Sequence, residues 1–460
     1  MKKLSTIILA AGKGTRMKSS LVKVLHPILG RPMLNYPIEL SCKGLRAEKT
    51  VVVIGYQAGL VQEAFSGQQA IFVTQESQLG SGHAVLATEG LFRESEGTIL
   101  ILYGDVPLVE TDTLRKLVAF HRRERATLTV ATTRLADPAG YGRVVRRQGN
   151  DVERIVEEED ASPKERKIDE VIIGLFCVEV PFLFPALKKV NTDNAQGEYY
   201  LTDIIGLGAQ DRETIRAFEV SDSDQVIGIN TRIDLARAHE ILRTRYLHRW
   251  MLAGVTIIHP DTVYIEADVV LGQDTVIHPN CVIQGKTAIG KRCVIGPNCL
   301  ITNSQIDDEV TVRAFSVIEQ SRIARGALIG PFSRLRPLTQ VLDGARIGNF
   351  VEVKKSVIGR GSKANHLAYV GDATLGEGVN IGAGTIFCNY DGVAKHPTTV
   401  GDGVFVGSNA ALIAPVEIGS HAVIGAGSTI TGDVPAGFLA VSRARQKNIP
   451  DWRRRKKPKR

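Results

Sequence analysis

At 460 residues the chain is too long for one ordinary core, so two or three domains are expected. Its composition is globular, 43% hydrophobic and 23% charged, and its net charge of +8 is concentrated at one end: seven of the last eight residues, 453–460, are Arg or Lys. The body of the chain is therefore near neutral, which argues against nucleic acid as a partner. No apolar run reaches the roughly 18 residues that span a bilayer, which argues against stable membrane insertion.

Met1-Lys2-Lys3 and the apolar residues 4–11 have the outline of a weak signal peptide. The apolar stretch runs straight into Gly12-Lys13-Gly14-Thr15-Arg16, so it reads better as a buried first strand feeding a glycine-rich turn. Later apolar runs at 50–54, 70–73, 98–102 and 127–131 alternate with helix-like segments, the pattern of a doubly wound α/β sheet. Ligands on such sheets bind at the carboxyl ends of the strands. The turn is neither Walker A nor GxGxxG. Its glycines still let backbone N–H groups approach phosphate oxygens, and Arg16 and Lys23 can offset phosphate charge, so a nucleotide site is expected there. Asp105 follows the buried run 100–102, where a carboxylate either ligates a nucleotide-bound Mg2+ or caps a turn. Thr231 with Asp234 would cap a linker helix over about 232–252.

From Ile265 an aliphatic residue recurs at every sixth position: Leu271, Ile277, Ile283, Ile289, Ile295 and Ile301. After short slips the period resumes through Ile323, Ile347, Leu375 and Val400 to Ile430. A period of six fits neither a helix nor a long strand and is the mark of a parallel β-helix. Cys281, Cys293 and Cys299 fall at the small fifth position of the hexad, so they are expected as buried filler, with Cys281 and Cys299 stacked in successive coils. The six cysteines form no CxxC pair, which suggests free thiols and a reducing compartment. The register reads as interrupted at 337–343 and at 389–397, loops where binding groups tend to sit. The flat faces of a solenoid invite self-association, and residues 434–452 are expected to cap its last coil.

The stretches 9–17, 78–84, 103–105 and 197–203 resemble sugar-nucleotide pyrophosphorylases. With Arg334-Leu335-Arg336-Pro337, residues 348–355, Asn380-Ile381-Gly382-Ala383-Gly384-Thr385 and Cys388-Asn389-Tyr390-Asp391-Gly392 added, the chain up to about Trp452 resembles the bacterial bifunctional N-acetylglucosamine-1-phosphate uridyltransferase/glucosamine-1-phosphate acetyltransferases. The resemblance implies a Rossmann-like α/β nucleotidyltransferase domain over 1–230, a linker helix over 231–252, a left-handed parallel β-helix acetyltransferase domain over 253–452 and a basic tail. It implies Mg2+, UTP and acetyl-CoA as cofactor and substrates, a homotrimer built through the β-helix, a cytoplasmic location, and a product used as a cell-wall precursor.

By the same resemblance, Leu9, Ala10, Ala11, Gly12, Tyr103 and Gly104 contact the uridine nucleotide, and Gln75, Gly80 and Ser81 frame the uracil. Arg16 and Lys23 stabilise the triphosphate, Asp105 and Asn230 hold Mg2+, and Gly142 and Glu157 meet the sugar. In the β-helix His366 is the base that accepts the amine proton, with Glu352 to orient it. Arg336 and Lys354 bind the sugar phosphate, and Tyr369, Asn380, Asn389 and Tyr390 bind the sugar or the acetyl donor. Ala383, Ser408, Ala426 and Arg443 contact acetyl-CoA, Ser408 also facing the oxyanion, and Lys395 acts across the subunit interface. The chain departs from the family at Ile172-Ile173-Gly174, where Asn-Thr-Gly is usual, and at Val22, where proline is usual. Losing one polar contact to a buried sugar costs on the order of 1–3 kcal/mol, so altered acceptor affinity is expected. Two rival readings are a single-activity pyrophosphorylase with an assembly-only β-helix, and a non-enzymatic scaffold.

Overall fold

The computed structural model describes residues 3–93, 96–147, 151–450 and 452, so the basic tail at 453–460 lies outside the described residues. The chain divides into two units, Met1–Leu242 and Arg243–Arg460, with the helix Arg232–Leu252 running through the division. Among the described residues no helix is long and apolar enough to cross a membrane.

In the first unit each expected apolar run is a strand. Leu4–Ala10 lies between Thr98–Tyr103 and Thr50–Ile54, and Ile71–Thr74 follows at the edge, all parallel. On the other side come Glu170–Glu179, Leu128–Arg134 and Ile215–Glu219. Glu170–Glu179 is antiparallel to both neighbours, and its pairing with Leu128–Arg134 slips between Ile172 and Phe176. Gly174 sits in that slip at φ +69, a backbone conformation that L side chains rarely adopt. Arg143–Arg146 and Val152–Val156 form a hairpin paired to the main sheet at Arg143 and Val171. The carboxyl ends of the three central strands converge on residues 10–12, 55 and 103–105, which makes that edge the place for a ligand.

The second unit is three parallel sheets of 11, 10 and 9 very short strands, each strand pairing with its counterpart one coil away. Aliphatic side chains point inward in one continuous core: Ile277, Ile283, Ile295 and Ile301 are all fully buried. Such a stack satisfies backbone groups between coils and leaves one apolar layer per strand to exclude water. Cys281, Cys293 and Cys299 are buried in that core, and burial pushes their thiols up, that of Cys299 to about 12.

One expectation fails here. Residues 337–343 are no insertion: Gln340–Val341 is an ordinary strand paired on both sides, and Val341 is fully buried six places after Leu335 and six before Ile347. Within this stretch Leu338 stands exposed on a corner at φ 66, outside the hexad's inward set. The insertion at 389–397 is real, a loop closed by a bridge between Tyr390 and Lys395. At the far end Leu439–Ala440 pairs with Val423–Ile424 and covers the last coil, while 441–450 are exposed.

Candidate active sites

A cavity of about 260 Å³ lies at the carboxyl ends of the central strands, lined by residues 9–12, Lys23, Gln75, Gly80, Ser81, Tyr103 and Asp105. Two glycines shape it. Gly14 is at φ +63, and a Cβ on it would come within 2.6 Å of the Lys23 Cβ, so only glycine lets the turn lie against that lysine. Gly80, at φ +109, has the backbone oxygen of Tyr199 2.6 Å from where its Cβ would be.

Four polar side chains from three separate stretches of sequence meet at the cavity. Lys23 Nζ donates to Asp105 Oδ2 and, at 3.3 Å, to Asn230 Oδ1, which also accepts from Arg16 at 3.0 Å. Asn230 is fixed from behind: Ile229 N–H donates to Asp105 O at 2.9 Å, and Asp234 accepts from the N–H groups of Asn230 and Thr231 at 3.0 and 2.7 Å. Thr231 and Asp234 thus cap the helix Arg232–Leu252 reciprocally. The carboxylate and amide oxygens turned toward one ammonium form the hard-oxygen donor pair a divalent cation accepts. Among the described residues no group of three acidic, His or Cys side chains forms a complete metal site, so remaining ligands would come from phosphate or water.

Beside the cavity Glu157 accepts from Thr202 Oγ1 at 2.9 Å, and burial raises its carboxyl above the usual carboxylate range. A Cβ on Gly142 would lie 3.1 Å from Glu157 Oε2 and 3.0 Å from a methyl of Ile172. Ile172 is therefore an apolar wall next to the two residues expected at the sugar, 8% exposed. The Tyr200 hydroxyl is buried without a hydrogen-bond partner among the described residues, and burial, then Asp160 and Glu157, push its pKa to about 12. Thr202 and Tyr200 belong to the 197–203 stretch, whose pattern was visible in the sequence although no residue in it was assigned. Gln78 and Glu198, which also line the cavity, were missed as well.

In the β-helix, Arg336, Glu352, Lys354 and Tyr369 stand on one sheet in adjacent coils, in the outward places beside inward Leu335, Val353 and Val370. His366 stands across the corner, at the end of Lys363–His366. Its Nδ1 is 2.7 Å from Asn349 Oδ1, because the coil register sets Asn349 opposite His366. Contrary to expectation, no hydrogen bond among the described residues joins Glu352 to the histidine. Its register partners are Arg334 and Tyr369, and it accepts instead from Arg336 at 2.8 Å. Asn389 donates to Asp372 at 2.6 Å and lies 3.4 Å from the Tyr369 hydroxyl. Lys395 lies beside Lys354 of its own chain, and that neighbouring cation lowers its pKa. Two ammonium groups held together in this way favour an anion between them.

Farther along the same corner Asn409 N–H donates to Ala383 O, Gly427 N–H to Ser408 O, and Arg443 to Ala426 O at 2.6 Å. Asn380 lies between Lys363 and Phe405 in the sheet that carries His366, and the Tyr390 hydroxyl donates to Gly392 O in the loop. No hydrogen bond among the described residues joins His366 to Arg336, Lys354 or the 383–443 group.

A model of MobA-like NTP transferase domains matches residues 6–168, one of GMPPB C-terminal domains matches 265–340, and one of six bacterial transferase hexapeptide repeats matches 397–432. The Bifunctional protein GlmU of Pelobacter propionicus is 50% identical over 460 residues, all of both chains. Its counterparts in Trichlorobacter lovleyi and Brevibacillus brevis are 47% and 45% identical, over 97% and 98% of this chain.

Proposed function

The chain belongs to the family of bifunctional GlmU proteins, and from that premise we propose how its residues divide the work. The enzyme acetylates glucosamine 1-phosphate from acetyl-CoA, then transfers uridylyl from UTP to N-acetylglucosamine 1-phosphate, giving UDP-N-acetylglucosamine, a cell-wall precursor. We assign uridylyl transfer to residues 1–230, acetyl transfer to the left-handed β-helix of 253–452, and 231–252 to the linker. The observation that carries this reading is a pair of polar clusters with no residue in common. One is Lys23 with Asp105 and Asn230 at the cavity of about 260 Å³, the other His366 with Asn349, with Arg336 and Lys354 on the adjoining sheet.

For uridylyl transfer, an oxygen of the sugar 1-phosphate attacks the α-phosphorus of UTP, and the bond to the leaving pyrophosphate breaks. Leu9 to Gly12, Gln75, Gly80 and Ser81 would orient the nucleotide. Arg16 and Lys23 would neutralise charge as it shifts to the pyrophosphate, and Gly142 and Glu157 would place the sugar. Asp105 and Asn230 would hold Mg2+, which when bound supplies positive charge at the phosphates.

For acetyl transfer, Asn349 accepts from Nδ1–H of His366, which leaves the Nε2 lone pair to take a proton from the attacking amine. Amine attack on the thioester forms an N–C bond, and collapse of the oxyanion breaks the C–S bond and releases CoA. Arg336, Lys354 and Lys395 surround the place for the sugar phosphate. Tyr369, Asn380, Asn389 and Tyr390 would hold the sugar or acetyl group, and Ala383, Ser408, Ala426 and Arg443 the donor. We infer a trimer from the exposed stack of Phe315, Phe332 and Phe350 down one corner, with ring centroids 4.9 and 5.4 Å apart, an apolar stripe fit for another subunit. A cytoplasmic location agrees with the six free cysteines and with UTP and acetyl-CoA as substrates.

The test supplies glucosamine 1-phosphate, acetyl-CoA, UTP and Mg2+ and looks for UDP-N-acetylglucosamine, with acetyl-CoA omitted as the control. His366→Ala is expected to abolish acetylation and spare uridylyl transfer. Loss of both in a folded variant would sink the two-site assignment.

A further inference from the structure

Arg143 is one of the largest fully buried side chains of the molecule, at 1% exposure. It opens the hairpin Arg143–Arg146/Val152–Val156 and pairs there with Val156. Beyond that open end one strand is preceded by Gly140-Tyr141-Gly142 and the other continues into Glu157-Glu158. The two residues assigned to the sugar, Gly142 and Glu157, are therefore the first residues outside the hairpin on either side.

Besides the Arg143–Val156 strand pairing, an ion pair joins these flanks. Arg143 donates through Nη1 to the Tyr141 carbonyl and through Nη2 to Glu158 Oε2 at 2.7 Å. The same Glu158 oxygen accepts from the Gly140 N–H at 3.2 Å. The guanidinium holds the Glu158 carboxyl below its usual range, so the carboxylate stays charged at neutral pH. The hairpin joins the main sheet near its open end through the Arg143–Val171 bridge and the Ile172 N–H to Gly142 O bond of 2.9 Å. At its other end it is joined through the Arg146–Glu170 ion pair at 2.7 Å and the Asp151–Arg216 bridge, which lie away from the two flanks. Helix Asp203–Gln210 packs on Val152–Val156, and Thr202 just before that helix donates to Glu157 at 2.9 Å, so Glu157 is held from the helix side while the ion pair joins its neighbour Glu158 to the opposite flank.

We propose that Arg143 and Glu158 are positioning residues that set the distance between Gly142 and Glu157 and so govern binding of the acceptor sugar without touching it. The proposal rests on the reading of Gly142 and Glu157 as sugar contacts. A lysine at 143 could not serve both oxygens, because the fork of the guanidinium spans them.

The experiment measures uridylyl transfer by the full-length chain, varying N-acetylglucosamine 1-phosphate and UTP separately. The variants are Glu158→Ala, Glu158→Gln and Arg143→Lys, with Glu157→Ala as an independent arm and acetyl transfer by the same preparations as the folding check. Misplacing a positioned group by a fraction of an ångström has large kinetic effects, so Glu158→Ala should raise the KM for the sugar phosphate by roughly 10-fold or more. The KM for UTP and the acetyl transfer rate should stay within about twofold, the mark of lost acceptor binding alone. Glu158→Gln keeps an oxygen acceptor and should fall between Glu158→Ala and the parent.

If Glu157→Ala raises the sugar KM and neither Glu158 variant does, the positioning role is wrong and the sugar assignment stands. If neither Glu157→Ala nor Glu158→Ala changes it, the sugar assignment falls and the proposal with it. Equal losses for UTP and sugar would mean that the pair merely holds the domain together, which also overturns the proposal. Should Glu158→Ala fail to fold, the same split in Glu158→Gln and Arg143→Lys decides.

Discussion

Replacing Asn349 with alanine removes the acceptor 2.7 Å from His366 Nδ1 and little else. Asn349 ends its strand, is half-buried, and leaves the inward Ile347 in place, so the coil should survive. A neutral hydrogen bond is worth about 0.5–1.5 kcal/mol net, which converts to roughly a 2- to 12-fold shift against the ring orientation and tautomer that expose Nε2. Deleting a general base outright costs about 10²- to 10⁴-fold. Asn349→Ala should therefore slow acetyl transfer at saturating substrates by roughly 2- to 12-fold, well short of the loss in His366→Ala. Asn349→Asp, which still offers an oxygen, should lose less. The assay follows the loss of thioester absorbance from acetyl-CoA, with uridylyl transfer measured in the same sample. Parental acetyl transfer in Asn349→Ala would show that the contact does not orient the base. A loss as deep as that of His366→Ala would show that Asn349 does more than orient.

Ile172→Asn offers a new polar group where an apolar wall now faces the sugar residues. One added hydrogen bond should lower the KM for N-acetylglucosamine 1-phosphate about fivefold with kcat little changed, and an unchanged KM removes Ile172 from that wall. Glu157 carries a raised pKa from burial, so it favours the folded state when protonated, and that contribution is lost as pH rises through its folded pKa. Glu157→Gln should accordingly exceed the parent in thermal midpoint at pH 8, and the gap should close below about pH 4, the unfolded carboxyl range; a gap independent of pH would contradict the burial argument. Thiol labelling of the native protein should reach at most Cys42 and Cys388, since the other four cysteines are buried. Fast labelling of a third thiol would mean that the core opens readily.

The inward face of the β-helix was legible because its rule is local: every sixth side chain enters the core, whatever lies farther along the chain. Corners such as that of exposed Leu338 are not bound by that rule, and the break read at 337–343 is none, since Val341 enters the core in register. Glu170–Glu179 was illegible for a different reason. Its apolar run is plain, but its place between Thr98–Tyr103 and Leu128–Arg134, and its reversed direction, are decided by distant partners. The nucleotide cluster shows the same limit. Lys23, Asp105 and Asn230 could be marked one by one, yet their convergence on one ammonium depends on the order of strands in the sheet and on the Thr231 cap.

The partner of His366 is the instructive miss, because the rule that would have found it was already in use. Coil spacing placed Cys281 beneath Cys299, and the buried pair lies where that spacing puts it. Applied to His366, one coil back is 17 residues, one fewer than the 18 between Cys281 and Cys299, and it reaches Asn349, not Glu352; these are the two residues the register aligns. Glu352 lies on the neighbouring sheet, where one coil on brings it to Tyr369 and its carboxylate takes Arg336. In a solenoid a residue's neighbours are fixed by position in the coil before side-chain chemistry has any choice. The imidazole is held by the amide that the register sets opposite it, while the carboxylate on the neighbouring sheet takes a guanidinium.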